Sequence, residues 1–287
     1  MLYLIVTTQN NKSGVFNRFI ESLNNQSEII KNKLEVIILN QDSETINSTN
    51  YLFNYKIKNI SKCSLSHARN IGIKLISDES YLIGFPDDDC WYNETVLEYV
   101  FEQLDKEIDY ICLGVYDPLR KLTYGRKRPL NYQCSLTFNN IMTLSTSVGI
   151  FIKKQNNDIL EFDENFSAGT RWGCGEETDL LLRMLSMGKK GIYNSFDSVY
   201  HEVENVKFND IDRAYKYGLG FGAIIAKAVY KYKQNILIRI YNKIKIKTLI
   251  ATIIFYFQKN KYAMYLARLK GIKDGYYEGK EIFRYKS

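Results

Sequence analysis

Four continuously apolar runs recur along the first 116 residues, and a segment of helical period separates most of them. The runs are LYLIVTT (2–8), LEVIILN (34–40), YLIGF (81–85) and DYICLGVY (109–116). Strands that are apolar throughout, rather than apolar at every second position, must be covered on both faces, which is the condition of a parallel sheet. Between them, VFNRFIESLNNQ (15–26), SLSHARNIGIKLIS (64–77) and ETVLEYVFEQL (94–104) repeat apolar residues every three or four positions. The pattern predicts an α/β fold: a mostly parallel, twisted sheet with helices on both faces. In such a fold ligands collect at the C-terminal ends of the strands. Further on, STSVGIFIKK (145–154) reads as a strand, EETDLLLRMLSMG (176–188) as a helix stopped by Gly188, and GIYNSFDSVYHE (191–202) as a strand ending in His201.

Composition removes several classes. A chain of 287 residues that is 45% hydrophobic buries a real core and is not disordered. Cys63, Cys90, Cys112, Cys134 and Cys174 lie far apart with no CxxC and no histidine at ligand spacing. They read as reduced thiols of a cytoplasmic protein rather than as a zinc site or a disulfide framework. The start, MLYLIVTTQNNK, has too short an apolar run and no basic segment before it, so it reads as a buried strand and not as a signal peptide. No window reaches the roughly 18 uninterrupted apolar residues of a membrane span.

Charge divides unevenly. From Lys207 onward there are 18 Lys and Arg against 5 Asp and Glu, while the rest of the chain has 21 against 27. The basic tail, from about 235, interleaves Ile, Leu, Tyr and Phe with Lys and Arg. Two readings follow: amphipathic helices lying on an anionic membrane surface, or helices covered by the rest of the chain or by a second subunit in a homodimer. Nucleic acid is a poorer partner, because no recognition module accompanies the basic residues.

The acidic turn FPDDDCWY (85–92) follows directly on the third apolar run, at the edge where ligands bind. Three carboxylates in a row repel unless something positive sits among them. A hard divalent cation, Mg²⁺ or Mn²⁺, would bridge them to a diphosphate that could not otherwise approach. The alternative is an acidic turn leading into a helix N-terminus capped by Asp89 or Asn93. A second acidic group, GCGEETDLLLR, places Glu176, Glu177 and Asp179 at a helix start, where the dipole favours negative charge. Helix capping accounts for one or two of them. A carboxylate there could also serve as general base, with Trp172 in front of it as a flat surface for a sugar. Of the two histidines, His201 at its strand end could complete a metal shell, and His67 reads as helix-start structure or a phosphate neighbour rather than a catalyst.

Taken in order, these segments resemble glycosyltransferase family 2 on a GT-A (Rossmann-like) fold, over about residues 1–230. LYLIVTT with TTQN, VIILNQDSE, LSHARNIGI, FPDDDCWY, GTRWGCGEETDLLLR and VYHE are similar, in register, to that family's strand and motif sequence, including its DxD element. The resemblance implies that Thr8, Asn40, Gln41, Arg69, Asp87 and Asp88 line the nucleotide, and that Asp87, Asp89 and His201 hold the cation. It makes Glu177 the base, with Glu176 and Asp179 as alternatives, and puts Arg171 and Trp172 on the acceptor side. Glu177 stands where the family has Asp, and Asn40-Gln41 where two acidic residues are common. The function implied is metal-dependent, inverting transfer from a nucleotide-sugar, UDP-linked in preference to GDP- or dTDP-linked, to a glycan or lipid-linked acceptor in bacterial surface polysaccharide (capsule or O-antigen) synthesis. The domains implied are 1–230, with a nucleotide-sugar half (1–116) and an acceptor half (117–230), and a basic helical extension at 231–287. The location implied is cytoplasmic, peripheral on the inner face of the plasma membrane. Two rivals share the α/β core. A nucleotidyltransferase would carry a Gly- and Arg- or Lys-rich loop after the first strand, where this chain has TTQNNKSG, and a sugar-nucleotide binding module would lack the base.

Overall fold

The structure, a computed structural model, describes residues 1–9, 14–124, 128–156, 158–203 and 210–284. The chain forms two compact units, one of Met1–Glu161 with Lys189–Glu204 and one of Phe162–Gly188 with Asn205–Ser287.

The first unit is built on one sheet. In chain order its elements are β1 (Leu2–Thr8), α1 (Gly14–Asn24), α2 (Glu28–Asn32), β2 (Leu34–Asn40), β3 (Asn54–Asn59), α3 (Leu65–Ile73), β4 (Tyr81–Gly84), β5 (Cys90–Trp91), α4 (Val96–Leu104) and β6 (Tyr110–Asp117), then β7 (Leu122–Thr123), β8 (Gln133–Ser135), α5 (Ile141–Leu144), β9 (Ile150–Lys154) and, after an excursion into the second unit, β10 (Gly191–His201). Strand order is β3-β2-β1-β4-β9-β6-β10-β5, with β7 on β6 and β8 on β10. The long ladders β3/β2, β2/β1, β1/β4 and β6/β10 are parallel, whereas β9, β5, β7 and β8 pair antiparallel. β1 is buried on both faces, as its sequence requires. Leu2, Leu4 and Val6 join the cluster formed with Phe16 and Phe19 of α1 and Val96, Leu97 and Val100 of α4. Ile5, pointing the other way, meets α3, where a Cβ on Gly72 would come within 2.5 Å of Ile5 Cγ2. Glycine at 72 therefore lets α3 lie close on β1, and helices cover both faces of the sheet.

The second unit is helical: α6 (Glu176–Ser186), α7 (Ile211–Tyr230), α8 (Leu237–Ile254) and α9 (Lys259–Arg284). α7 and α9 meet backbone to backbone. A Cβ at Gly275 would sit 1.9 Å from the Leu219 carbonyl oxygen, one at Gly222 2.3 Å from that of Ile272, and one at Gly271 2.2 Å from that of Tyr215. Small residues four apart make this approach sterically available. Near the end of α7 Lys227 is almost fully buried, with Nζ 2.6 Å from Asp163 Oδ2 and 2.7 Å from Asp179 Oδ2.

Candidate active site

Pro86 has no N–H to give the ladder, so the chain leaves the sheet after β4, and Asp87 makes only a single parallel bridge to Thr7. The turn through Asp88 and Asp89, closed by Cys90 N–H donating to the Asp87 carbonyl, then enters β5. β5 pairs antiparallel with the end of β10, Cys90 opposite His201 and Trp91 opposite Tyr200. That short pairing carries a histidine 112 positions downstream to the acidic turn. One ligand atom from each of Asp87, Asp89 and His201 lies within 4.8 Å of the others.

His201 Nδ1 is 2.7 Å from the Glu202 carbonyl oxygen, a contact only an N–H can satisfy, so Nε2 is the nitrogen that faces the carboxylates. Nε2 stands 3.0 Å from Asp89 Oδ1. Burial opposes charge on the imidazole, yet the hydrogen bond and charge of Asp89 outweigh it and lift the His201 pKa above its ordinary value. For Asp89, burial pushes the pKa up, but the His201 partner outweighs it and the net direction is down. Burial raises Asp88, against a hydrogen bond from the Thr8 hydroxyl. Tyr124 packs its ring on His201 with centroids 4.2 Å apart.

Arg69, on α3, is 1% exposed and reaches Asp87 Oδ1 at 3.2 Å. Asn40 ends β2 and Gln41 follows it, but their side-chain amides serve the protein. Asn40 Nδ2 donates to the Glu44 carbonyl and to Asn59 Oδ1, and Gln41 Oε1 accepts from Cys63 N–H, tying the loops after β2 and β3 together. Thr8, Arg69, Asp87, Asp88, Asp89 and His201 thus gather in one neighbourhood, with Asn40 and Gln41 shaping the loop beside Thr8, whose carbonyl accepts from Gln41 N–H.

Two participants escaped the sequence reading. Arg18, in a helix that reads only as amphipathic, lays its guanidinium 3.7 Å over Trp91, pairs with Glu202 at 2.6 Å and donates to the Asp89 carbonyl. With Trp91 and Tyr200 it lines a cleft of about 520 Å³. Asp117, at the end of β6, accepts from the Val203, Leu119 and Arg120 amides and so fixes the segment that follows His201. Burial raises its pKa, but these three bonds win and hold it low. Neither residue sits in a motif, and only the strand pairing brings them here.

The model of "Glycosyl transferase family 2" matches residues 3–173, more than half of the chain. The chain belongs to this family. The protein is a glycosyltransferase with a GT-A fold, and solved glycosyltransferase structures share it. S. aureus TarS 1-349 in complex with UDP-GlcNAc is 17% identical, at a TM-score of 0.53, covering all of this chain and 92% of that one. The longer S. aureus TarS structure is 16% identical at 0.54, with 82% of this chain covered but only 44% of that one. The mannosyltransferase PcManGT from Pyrobaculum calidifontis, in complex with GDP-Man and Mn²⁺, is 13% identical at 0.54, covering 79% of this chain and 64% of that one. No curated protein matches the sequence.

In the second unit of this glycosyltransferase, the acidic group opens α6. Gly175 precedes it at φ +96°, a left-handed conformation suited to glycine, and a Cβ there would meet Ile224 Cδ1 at 2.1 Å, so that side chain would have to shift. Glu176 and Asp179 are buried, and Glu177 is half-buried. Asp179 is committed to Lys227 and to the Tyr232 hydroxyl, 3.0 Å from its Oδ1. Arg171, largely exposed, and the indole N–H of Trp172 both bond to Glu278 Oε2. The sequence predicts an open face for Trp172. In the structure it is 1% exposed, with Phe166 and Phe283 packed against its ring. Arg171 and Trp172 border a cavity of about 420 Å³ together with Asp163, Asn165, Lys231 and Phe283.

Proposed function

We propose that this glycosyltransferase moves a sugar from a nucleotide diphosphate sugar to a hydroxyl of a glycan or lipid-linked acceptor, with inversion at the anomeric carbon. The setting is assembly of a bacterial surface polysaccharide such as capsule or O-antigen on the cytoplasmic side, with residues 1–230 as the catalytic domain and 231–287 as a helical extension. The observation that carries the reading is the convergence of Asp87, Asp89 and His201 at the C-terminal edge of parallel strands.

Two carboxylates and an imidazole whose Nδ1 proton is already committed to a carbonyl make a hard oxygen and nitrogen donor set, which fits Mg²⁺ or Mn²⁺. When bound, such an ion would supply charge neutralisation on the diphosphate leaving group. The protein's own part is geometric. Arg69 holds Asp87, and the Thr8 hydroxyl holds Asp88. Asp117 and Tyr124 keep His201 at the end of β10, and Asn40 and Gln41 set the loop on which the base would rest.

To Glu177 we assign removal of the acceptor hydroxyl proton, because Asp179 is taken by Lys227 and Tyr232 and Glu176 is the more deeply buried of the other two. The acceptor oxygen attacks the anomeric carbon from the face opposite the diphosphate. The bond to the leaving oxygen breaks as the new one forms, and the proton ends on the Glu177 carboxylate. Arg171 and the cavity it borders supply the acceptor side.

The TarS complexes, with UDP-GlcNAc and with UDP, support a UDP-sugar donor, and the mannosyltransferase complex with GDP-Man and Mn²⁺ supports the cation. A thermal-shift panel of UDP-, GDP- and dTDP-sugars with and without Mn²⁺ tests the reading. The expected result is a metal-dependent rise in Tm with a UDP-sugar that Asp89→Asn abolishes. No shift with any of the three would remove the donor assignment, and binding without transfer to any hydroxyl acceptor would leave a sugar-nucleotide binding module.

A further inference from the structure

α8 is packed inside out. Over its second half the side turned inward carries Thr248 and Thr252, both buried, their hydroxyls donating back to the Ile244 and Thr248 carbonyls at 2.8 Å. The opposite side carries Ile246, Leu249, Ile250, Ile253 and Ile254, and Phe257 follows in the same phase. Their spacing of three, four, seven, eight and eleven residues forms one stripe along the helix. All are exposed, Ile253 and Ile254 at 66% and Phe257 at 95%. A helix covered only by its own unit would turn these isoleucines inward.

The corner after α8 is held rather than loose. Phe255 stacks on Tyr265 with centroids 5.4 Å apart and an interplanar angle of 7°, and Tyr256 meets Tyr262 edge-on at 5.4 Å. These contacts fix the turn and leave the Phe257 ring outside it. By helical phase Lys247 flanks the stripe on one side and Lys245 on the other, Lys243 precedes it on the same face, and Lys259 and Lys261 follow the corner. No Asp or Glu occurs between Asp212 and Asp274.

We propose that this stripe and corner, residues 246–257 with their flanking lysines, form a docking surface for an anionic lipid bilayer. An apolar ridge bordered by cations is complementary to a surface that is apolar inside and anionic at its rim, where lysine stems can lie along the apolar side and their ammonium groups meet headgroups. A second copy of the chain is a poor occupant, because a two-fold contact would set the same lysines against each other with no carboxylate between them. Spanning is excluded for this segment: no helix among the described residues is long and apolar enough to cross a membrane. The surface lies on residues outside the donor and base assignments, so the two proposals fail separately.

Flotation of the full chain with phosphatidylcholine vesicles, with and without phosphatidylglycerol, tests it. Binding is expected only with phosphatidylglycerol and should weaken as salt is raised. Substituting Ile253→Ser, Ile254→Ser and Phe257→Ser together should lower partitioning by about tenfold or more while leaving Tm and the nucleotide-sugar shift unchanged, since all three side chains already face solvent. A Phe257→Trp variant should show a blue-shifted emission on anionic vesicles. Equal binding to neutral vesicles overturns the proposal, as does absence of binding to either. A dimer in sedimentation that the triple substitution dissolves, without vesicle binding, would assign the ridge to self-association instead.

Discussion

At the scale of single residues, the site rests on which atoms are already committed. His201 has one nitrogen fixed by the Glu202 carbonyl, and Asp89 faces the other at 3.0 Å. Replacing His201 by Ala removes a candidate ligand outright, so Mn²⁺-dependent donor binding should fall by more than the roughly 10- to 100-fold that follows loss of an outer-shell partner. Titration calorimetry with Mn²⁺ and the donor measures this, and unchanged affinity would take His201 out of the metal set. Glu177→Gln keeps size and hydrogen bonding but cannot accept a proton. Donor binding should persist while transfer drops by about 10²- to 10⁴-fold, and normal turnover would remove the base assignment. Asp179 shows why a motif is not a role. Three acids crowd the start of α6 in sequence, yet Asp179 is spent on a buried lysine and a tyrosine.

At the scale of elements, close backbone approach decides where helices sit. A glycine inside a helix reads in sequence as a local weakness costing about 1 kcal/mol against alanine. In α7 and α9 it is the reverse, because Gly222, Gly271 and Gly275 let two long helices meet at their carbonyls. Gly275→Ala sets a methyl 1.9 Å from the Leu219 carbonyl oxygen, which cannot rotate away. A loss of about 3 kcal/mol or more is expected in urea unfolding, even though alanine is the better helix former. Stability equal to or above the parent chain would mean that the two helices are not in this contact. Elements of this unit were legible as helices, but the partner of each was not, since its glycines are read only against another chain segment.

For the whole molecule, the buried charges of the second unit tie stability to pH. Burial raises Asp163, but the Lys227 charge and hydrogen bond outweigh it and its folded pKa is depressed. A depressed carboxylate contributes stability that is present above its unfolded value, about pH 4, and is lost as pH falls through the folded value. Thermal unfolding should therefore drop in Tm on acidification below about pH 4. Lys227→Met leaves Asp179 buried without its cation and should cost about 3–5 kcal/mol near neutrality. The gap to the parent chain should narrow toward acid as Asp163 takes up its proton and its pairing with Lys227 is lost in the parent. A gap that stays constant from neutral to acid pH would mean the cluster contributes little.

The layered α/β architecture is written in the residue pattern. A strand apolar on both sides can exist only inside a covered sheet, and β1, β2 and β6 are buried along nearly their whole length. The pattern also placed the acidic turn at a strand end, because that turn follows directly on an apolar run. It did not reveal β3, whose NYKIKN is polar and largely exposed, since an edge strand is held by backbone hydrogen bonds to β2 rather than by apolar side chains. Nor did it reveal Arg18 and Asp117, or the enclosure of Trp172. The first two depend on pairings such as β5 with β10, in which two residues meet His201 and Tyr200 across more than a hundred positions, and the third on the packing of Phe166 and Phe283 against the indole. Local preference acts over a few residues, whereas a site needs atoms within a few ångströms. Only tertiary packing converts the first distance into the second.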